Sequence, residues 1–202
     1  MFWFGKNQTR IKGKRILVIS DIHFPLTERE MRVLSQDFDE CWVLGDVPRD
    51  ILFKLENKPY PVLGVLGNHD THDSFEGLSI LNVNGTAVEQ NGVTIAGIEG
   101  SSKYKNSPYV MLSQYDSEQL AKKTPAADVL LSHDSGRYEH SEEIHKEGLQ
   151  GITEYIAKHQ PLLHIYGHHH EHKEYKRGKT LCICNYRLGI IEKTGLYYTQ
   201  AE

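Results

Sequence analysis

The chain has 202 residues, of which 39% are hydrophobic and 25% charged, and its formal net charge at pH 7 is −4. These proportions are typical of an ordinary globular chain and exclude fibrous or intrinsically disordered proteins. The net negative charge argues against strong non-specific binding to nucleic acids or anionic membranes, and no apolar stretch reaches the length of a bilayer span. We therefore expect a single domain over residues 1–202, with no membrane partner.

The cysteines and the first residues of the chain favour a cytoplasmic location. Three cysteines are an odd number, and they lack the spacing of a disulfide framework. The chain begins with a short apolar tip that basic residues follow, whereas a secretory signal places a longer apolar region after its charges. Both observations predict a cytoplasmic protein.

In the first half of the chain, strands and helices are expected to alternate. Short apolar runs predict strands at residues 15–20, 41–44 and 62–66, and helices are expected at 27–38 and near 50–56. Thr27 is the expected N-cap of the first helix, and Glu30 completes a capping box. This alternation indicates parallel strands that are joined by right-handed crossovers.

The second half of the chain predicts a mixed sheet. Asn91-Gly92 lies between two strand-like runs and indicates a type I′ hairpin, so some strands must be antiparallel. A long loop is expected at 101–115, helices at 117–123 and 142–159, a strand at 129–132, and two or three strands from Thr180 onward. The predicted fold class is α/β, a four-layer α/β/β/α sandwich with mixed β-sheets.

Five apolar runs end in residue types that bind metal ions. Side chains at one end of several buried strands converge at the edge where open α/β sheets bind ligands. Carboxylate, amide and imidazole groups without cysteine suit divalent cations. Seven ligands are too many for one tetrahedral site and suit two metals that share a carboxylate. The seven candidates are Asp21, His23, Asp46, Asn68, His133, His168 and His170.

These segments resemble, in order, the five motifs of the calcineurin-like metallophosphoesterases. The matching segments are Asp21-Ile22-His23, Gly45-Asp46, Gly67-Asn68-His69-Asp70, His133 after its strand, and Gly167-His168-His169-His170. The resemblance covers residues 15–170. Within the family, the chain looks most like the small single-domain phosphodiesterases. It implies a metallophosphoesterase-like fold with the metal residues on loops along one edge.

The resemblance also implies a role for each residue. Asp21, His23 and His170 would hold the first metal, while Asn68, His133 and His168 would hold the second. Asp46 would bridge the two metals. His69 would be the catalytic histidine, which protonates the leaving oxygen or stabilises charge that develops there.

One departure from the family pattern concerns the partner that orients His69. The family's second motif often ends in an aspartate, but here the spacing from Asp46 to Asp50 is one residue longer. Asp50 either orients His69 despite this longer spacing or caps the helix that follows it, and the cap is the favoured alternative. Asp70 is therefore the second catalytic candidate, although an Asx turn is a serious alternative. His169 lies between two ligands and is expected to point toward solvent or the substrate mouth.

The expected function is hydrolysis of phosphodiester bonds in a small nucleotide-like or cyclic diester, by a water that two divalent metals activate. Manganese is the first candidate, and iron, nickel, zinc and cobalt also suit these ligands. The alternatives are a phosphomonoesterase of the same fold and a catalytically silent scaffold. The expected partner is a small phosphate ester. The sequence does not fix the substrate, the native metal or the oligomeric state.

Overall fold

The structure is a computed structural model that describes residues 13–139, 146–192 and 195–198, the last of these for the backbone alone. Its helices are α1 (Glu28–Leu34), α2 (Arg49–Leu52), α3 (Gln114–Lys123) and α4 (Gln150–His159), and a 3-10 turn follows α2 at Phe53–Leu55. The strands in chain order are β1 (Ile16–Ser20), β2 (Glu40–Val43), β3 (Val62–Gly64), β4 (Ile80–Asn82), β5 (Ala87–Gln90), β6 (Val93–Ile98), β7 (Ser101–Ser102), β8 (Met111–Leu112), β9 (Val129–Ser132), β10 (Leu163–Tyr166), β11 (Lys173–Arg177), β12 (Thr180–Cys184), β13 (Arg187–Glu192) and β14 (Gly195–Tyr198).

Within these ranges the strands form two six-stranded mixed sheets and one short pair. The first sheet has the order β14-β13-β1-β2-β3-β4, in which β1 to β4 are parallel and β13 and β14 pair antiparallel. The second has the order β11-β12-β10-β9-β6-β5, with four parallel central strands and an antiparallel strand at each edge. This confirms the predicted mixed α/β fold class.

The core divides according to the two faces of each sheet. Along β1, Leu17 and Ile19 belong to one buried cluster, which also contains residues of α1, while Ile16 and Val18 belong to another. That second cluster draws its members from both six-stranded sheets. A third cluster joins the second sheet to α4 through Leu130 and Ile152, among others. The four-layer order and the single domain over residues 1–202 remain predictions, and this distribution of buried side chains supports both.

Several local predictions are confirmed. Thr27 and Glu30 form the capping box at the start of α1, with the Thr27 hydroxyl accepting from the Glu30 amide and the Glu30 carboxylate accepting from the Thr27 amide. β5 and β6 form the predicted hairpin, where Asn91 and Gly92 adopt φ values of 53° and 77°. No described helix has the length and apolarity that a membrane crossing requires.

Other element boundaries are wrong. The helix predicted at 142–159 begins only at Gln150, and residues 140–145 lie outside the described part of the chain. Gly148 prevents an earlier start, because its φ of +74° lies outside the right-handed helical region. The loop predicted at 101–115 contains β7 and β8, and α3 begins at its end, where Ser113 is the N-cap.

A buried ion pair joins α1 to β13. The Arg187 guanidinium donates from Nε to Glu30 Oε1 at 2.6 Å and from Nη2 to Glu30 Oε2 at 2.8 Å. Glu30 Oε2 also accepts from the Thr27 amide at 2.8 Å. Burial opposes ionisation of Glu30, but Arg187 and Thr27 outweigh it and lower the pKa of this carboxyl.

We expect Glu30→Gln to lower the free energy of unfolding by about 3 kcal/mol at pH 7, because the substitution leaves a buried guanidinium uncompensated. The folded-state pKa of Glu30 is depressed, so its contribution is present above the ordinary value of 4.5 and is lost as the pH falls below it. Urea unfolding at pH 7 and pH 3 should therefore show a smaller difference between variant and parent at pH 3. Glu28→Gln, at a side chain that is 95% exposed in the same turn, is the control; an equal loss in both variants would contradict the prediction.

Candidate metal centre

Hydrogen bonds between strand-end loops bring distant parts of the chain to one edge. The loop after β1 is bound to the loop after β2, because the Asp21 amide donates to the Gly45 carbonyl at 3.1 Å. The Gly167 amide donates to the His133 carbonyl at 2.9 Å and so joins the loops after β9 and β10. The two sheets meet where the His168 amide donates to Asp21 Oδ2 at 3.0 Å.

The backbone at this edge adopts conformations that are uncommon for residues with side chains. Asp21, Asp46, His168 and His170 have φ values of 53°, 55°, 67° and 53°. Non-glycine residues in the left-handed region carry strain, which concentrates at functional sites. Each of these four residues is a predicted metal ligand, so the unusual backbone coincides with the predicted site.

Glycines allow the loops to approach the carboxylates closely. A Cβ at Gly67 would lie 2.2 Å from Asp46 Oδ1, and a Cβ at Gly167 would lie 2.4 Å from Asp21 Oδ2. Any side chain at either position would displace a carboxylate, so the glycine of each motif is a steric requirement.

Asp21, His23 and His170 form one group of potential ligands, with donor atoms within 4.8 Å of one another. The two imidazoles meet through their Nε2 atoms at 3.1 Å, and His170 Nε2 lies 3.5 Å from Asp21 Oδ1. Asp21 is fully buried, while His23 and His170 are exposed. This group is therefore open to solvent on its histidine side.

Asp21, Asp46 and His133 form a second, fully buried group within the same limit of 4.8 Å. His133 Nε2 lies 3.5 Å from Asp46 Oδ2 and 2.8 Å from Asn68 Oδ1. The His168 ring is close by, with its centroid 5.1 Å from that of His133. The two groups share Asp21, and Asp46 as the bridging ligand stays a prediction.

The hydrogen bonds of His133 indicate that a cation fits this position. Its Nδ1 must donate to the Leu44 carbonyl, at 2.7 Å, because a carbonyl oxygen only accepts. In the neutral ring, Nε2 therefore carries a lone pair that faces the Asn68 carbonyl oxygen. A proton or a metal ion bound to this lone pair would be stabilised by the Asn68 carbonyl oxygen, which lies 2.8 Å from Nε2. A backbone partner that fixes the tautomer is also the usual arrangement of a metal-binding histidine.

The charge states of the site favour metal binding. Burial opposes ionisation of Asp21, but the hydrogen bond with His170 and the nearby histidines lower the pKa of its carboxyl. Burial lowers the pKa of His23 and His168, which keeps these rings neutral. Burial also opposes the charged form of His133, yet Asp46 and Asp21 outweigh it and raise its pKa. Ionised carboxylates and neutral imidazoles are the forms that bind metals, and the raised pKa of His133 marks a position where positive charge is stabilised.

His69 lies at the mouth of this site. Its backbone amide donates to Asp46 Oδ1 at 2.8 Å, while its side chain is exposed. The ring centroid of His69 lies 5.5 Å from that of His23 and 6.1 Å from that of Tyr109. The imidazole is therefore next to the predicted metal ligands without belonging to either group of potential ligands.

The sequence profile of the calcineurin-like phosphoesterase superfamily domain matches residues 15–185. The chain belongs to this superfamily.

No curated protein sequence matches the chain. Among solved structures, TT1561 of Thermus thermophilus is 14% identical with a TM-score of 0.65, over 92% of this chain and 98% of that one. The phosphopantetheinyl hydrolase of Mycobacterium tuberculosis is 13% identical with a TM-score of 0.61, over 85% and 89%. An archaeal phosphodiesterase is 16% identical with a TM-score of 0.50, over 89% and 94%. These identities show a shared fold alone.

In this calcineurin-like phosphoesterase, Asp70 connects the loops of the site. Its Oδ2 accepts from the Asp46 amide at 2.9 Å and from the Gly67 amide at 2.7 Å, and its carbonyl accepts from the Val110 amide at 3.1 Å. Burial raises the pKa of the Asp70 carboxyl. These bonds agree with the turn-stabilising alternative, and a role for Asp70 in orienting His69 stays a prediction.

Asp50 does not cap α2, so that expectation is wrong. Pro48 is the N-cap and makes no side-chain hydrogen bond, and Asp50 lies exposed in the first turn. Proline at position 48 fixes the backbone that enters the helix, which leaves the carboxylate two residues too late to cap it.

His169 is also placed differently from the expectation that it points outward. Its side chain is 2% exposed, and Nε2 lies 3.1 Å from both Asp134 Oδ1 and Ser135 Oγ. Asp134 Oδ2 accepts from the Ser102 amide at 3.0 Å. Burial opposes ionisation of Asp134, but His168 and His169 outweigh it and hold its pKa well below the usual range. Asp134 is not among the predicted site residues, although its position directly after His133 is a signal for it.

A pocket of about 370 Å³ opens beside the candidate metal centre of this phosphoesterase. His23, Asp46 and His69 line it, together with Ile22. The other lining residues come from α2, the residues just before it and the loop that follows His69. The volume falls within the range of small-molecule sites.

Proposed function

We propose that the chain is a metal-dependent phosphodiesterase that hydrolyses a small nucleotide-like or cyclic diester. The observation that carries this proposal is the convergence of two ligand groups around Asp21, with the His69 imidazole at their mouth. The proposed ligands of the first metal are Asp21, His23 and His170, and those of the second are Asn68, His133 and His168. Asp46 is the proposed bridge.

Two bound divalent cations would neutralise the phosphate oxygens and supply an activated water for attack on phosphorus. Manganese is the proposed ion, and iron, nickel, zinc or cobalt are the alternatives, because mixed oxygen and nitrogen ligands suit each of them. The close donor atoms, the fixed tautomer of His133 and the glycines beside the carboxylates all support a fit.

The side chain of His69 would hold the proton that the leaving alcohol requires. An alkoxide is a poor leaving group, and its protonation lowers the barrier for expulsion. The backbone amide of His69, which donates to Asp46, fixes the position of the residue while leaving both ring nitrogens outside that bond. Asp46, by accepting this bond, aligns the proton donor with the metal ligands.

We propose a diester rather than a monoester as the substrate, because the motifs look like those of the family's small single-domain phosphodiesterases and the fold is shared with an archaeal phosphodiesterase. We further propose a cytoplasmic location, a small phosphate ester as the partner, and neither a membrane partner nor strong non-specific nucleic-acid binding.

Hydrolysis of bis-p-nitrophenyl phosphate tests the proposal, in metal-free buffer and with added Mn²⁺, Ni²⁺, Co²⁺ or Zn²⁺. We expect metal-dependent turnover that a chelator removes and a higher kcat/KM than for p-nitrophenyl phosphate. A preference for the monoester would favour the phosphomonoesterase, and no turnover with any ion would favour the scaffold. A panel of cyclic nucleotides and dinucleotides would then define the substrate.

A further inference from the structure

The pocket beside His69 lies where the leaving group of a substrate would extend. Its lining includes His69, the proposed proton donor, together with Asp46 and His23 from the two ligand groups. A proton donor must lie within hydrogen-bond reach of the oxygen that it protonates. The part of a substrate beyond that oxygen therefore extends from His69, where the 370 Å³ pocket offers space.

Apolar side chains form the inner wall of the pocket. Ile22, Val47 and Leu52 line it and are 3%, 5% and 1% exposed, so each is fixed by packing in the core. An organic group that enters the pocket removes apolar surface of both partners from water. Thr71 and Ser74 line the outer part and supply hydroxyl groups.

The exposed carboxylate of Asp73 disfavours an anion on its side of the pocket. Asp73 lines the outer wall, and the hydrogen bond that its carboxylate accepts from the Thr71 hydroxyl lowers its pKa, so it is ionised at neutral pH. Arg49 is the one lysine or arginine among the described lining residues. Its Nη1 donates to the Ser74 carbonyl at 3.1 Å and its Nη2 to the Glu76 carbonyl at 2.7 Å.

The Arg49 guanidinium packs on an aromatic ring in addition to making these two hydrogen bonds. It lies over the Phe53 ring, with Cζ 5.2 Å from the ring centroid. A bidentate ion pair with a substrate anion would require these contacts to break. The wall thus presents an exposed carboxylate and a guanidinium that is already bound.

We propose that this pocket binds the leaving alcohol of the diester and selects an uncharged organic group over one that carries a negative charge. This inference rests on the proposed function and narrows its substrate class. Nucleoside-like alcohols meet the requirement, since they combine an apolar face with hydroxyl groups. Alcohols that carry a further phosphate or carboxylate do not.

Two chromogenic diesters test the inference with the manganese-loaded protein. Methyl 4-nitrophenyl phosphate has an uncharged leaving group, and methyl 3-carboxy-4-nitrophenyl phosphate has a carboxylate on its leaving group. We compare the ratio of their kcat/KM values between parent and variants, so that differences in intrinsic reactivity cancel. Asp73→Lys should raise the relative kcat/KM of the carboxylate substrate by about threefold to tenfold, as expected for exposed charges.

Glu76→Lys is the matched control, because it makes the same charge change at an exposed residue whose side chain does not line the pocket. We expect it to alter the ratio by less than about twofold. Circular dichroism and manganese titration of both variants check folding and metal loading. An unchanged ratio in Asp73→Lys, or an equal change in Glu76→Lys, would overturn the inference.

A third substrate, carboxymethyl 4-nitrophenyl phosphate, has its carboxylate on the retained alcohol. Asp73→Lys should leave its relative kcat/KM unchanged, and an increase equal to that for the leaving-group carboxylate would overturn the assignment of the pocket. These outcomes are distinct from failure of the proposed function. In that case none of the three diesters would be hydrolysed with any metal, and the inference would fall with it.

Discussion

Asp46→Ala should remove metal binding and hydrolysis together. The carboxylate of Asp46 is buried, with Oδ2 3.5 Å from His133 Nε2 and Oδ1 accepting from the His69 amide at 2.8 Å. One residue thus contacts a proposed ligand of the second metal and the proposed proton donor. Metal ions contribute several kcal/mol to transition-state stabilisation, so we expect kcat/KM to fall by at least about a thousandfold.

Metal content after dialysis, measured by mass spectrometry, and kcat/KM for bis-p-nitrophenyl phosphate check this result. Asp37→Ala is the matched control, because Asp37 is an exposed carboxylate in the segment before β2 and has no proposed role at the site. The control should retain both metal and activity. Asp46→Asn keeps the shape of the side chain and separates loss of charge from a folding defect. Full metal content in Asp46→Ala would show that Asp46 is not a bridging ligand.

His69→Ala should keep the metals and lose rate. The bond to Asp46 comes from the backbone amide of His69, which alanine retains. The lost imidazole would remove general acid catalysis, which typically contributes about 10²–10⁴-fold. We expect the larger loss for diesters with alkyl leaving groups and the smaller loss for p-nitrophenyl esters, whose leaving group needs little protonation.

His72→Ala provides the control for His69→Ala. His72 lies three residues further along the same loop, and its side chain is 78% exposed. The control should change neither metal content nor the dependence of rate on the leaving group. Should His69→Ala lose its metals, or should its rate loss be equal for alkyl and p-nitrophenyl leaving groups, the proposed role of His69 would be wrong.

The fold class follows from the sequence because strands end where their apolar runs end. The strands before Asp21, Asp46 and His133 lie where the apolar runs predict them, and parallel strands bring their carboxyl ends to one edge. The structure accordingly places one ligand atom each of Asp21, Asp46 and His133 within 4.8 Å of one another, although the sequence separates the first residue from the last by more than 100 residues.

What the sequence could not predict depends on contacts between distant residues. α4 starts only after Gly148, whose positive φ is accompanied by a close approach to the Gly136 backbone, and no local propensity encodes that approach. His169 is buried because its Nε2 contacts the side chains of Asp134 and Ser135, which follow another strand. The predicted capping role of Asp50 is wrong for a local reason, because Pro48 already occupies the N-cap position. Periodicity and motif order therefore define the elements, while tertiary partners decide their ends.

The unequal burial of the two ligand groups has a consequence for how ions would exchange with the medium. His23 and His170 are exposed, so an ion held between them would face the solvent. Asp46 and His133 are enclosed, and an ion between them could leave only after the outer position had emptied or the surrounding loops had opened. The two positions would then differ in lifetime. Mixed-metal forms, with a retained inner ion and a replaceable outer one, are the expected product of partial chelation.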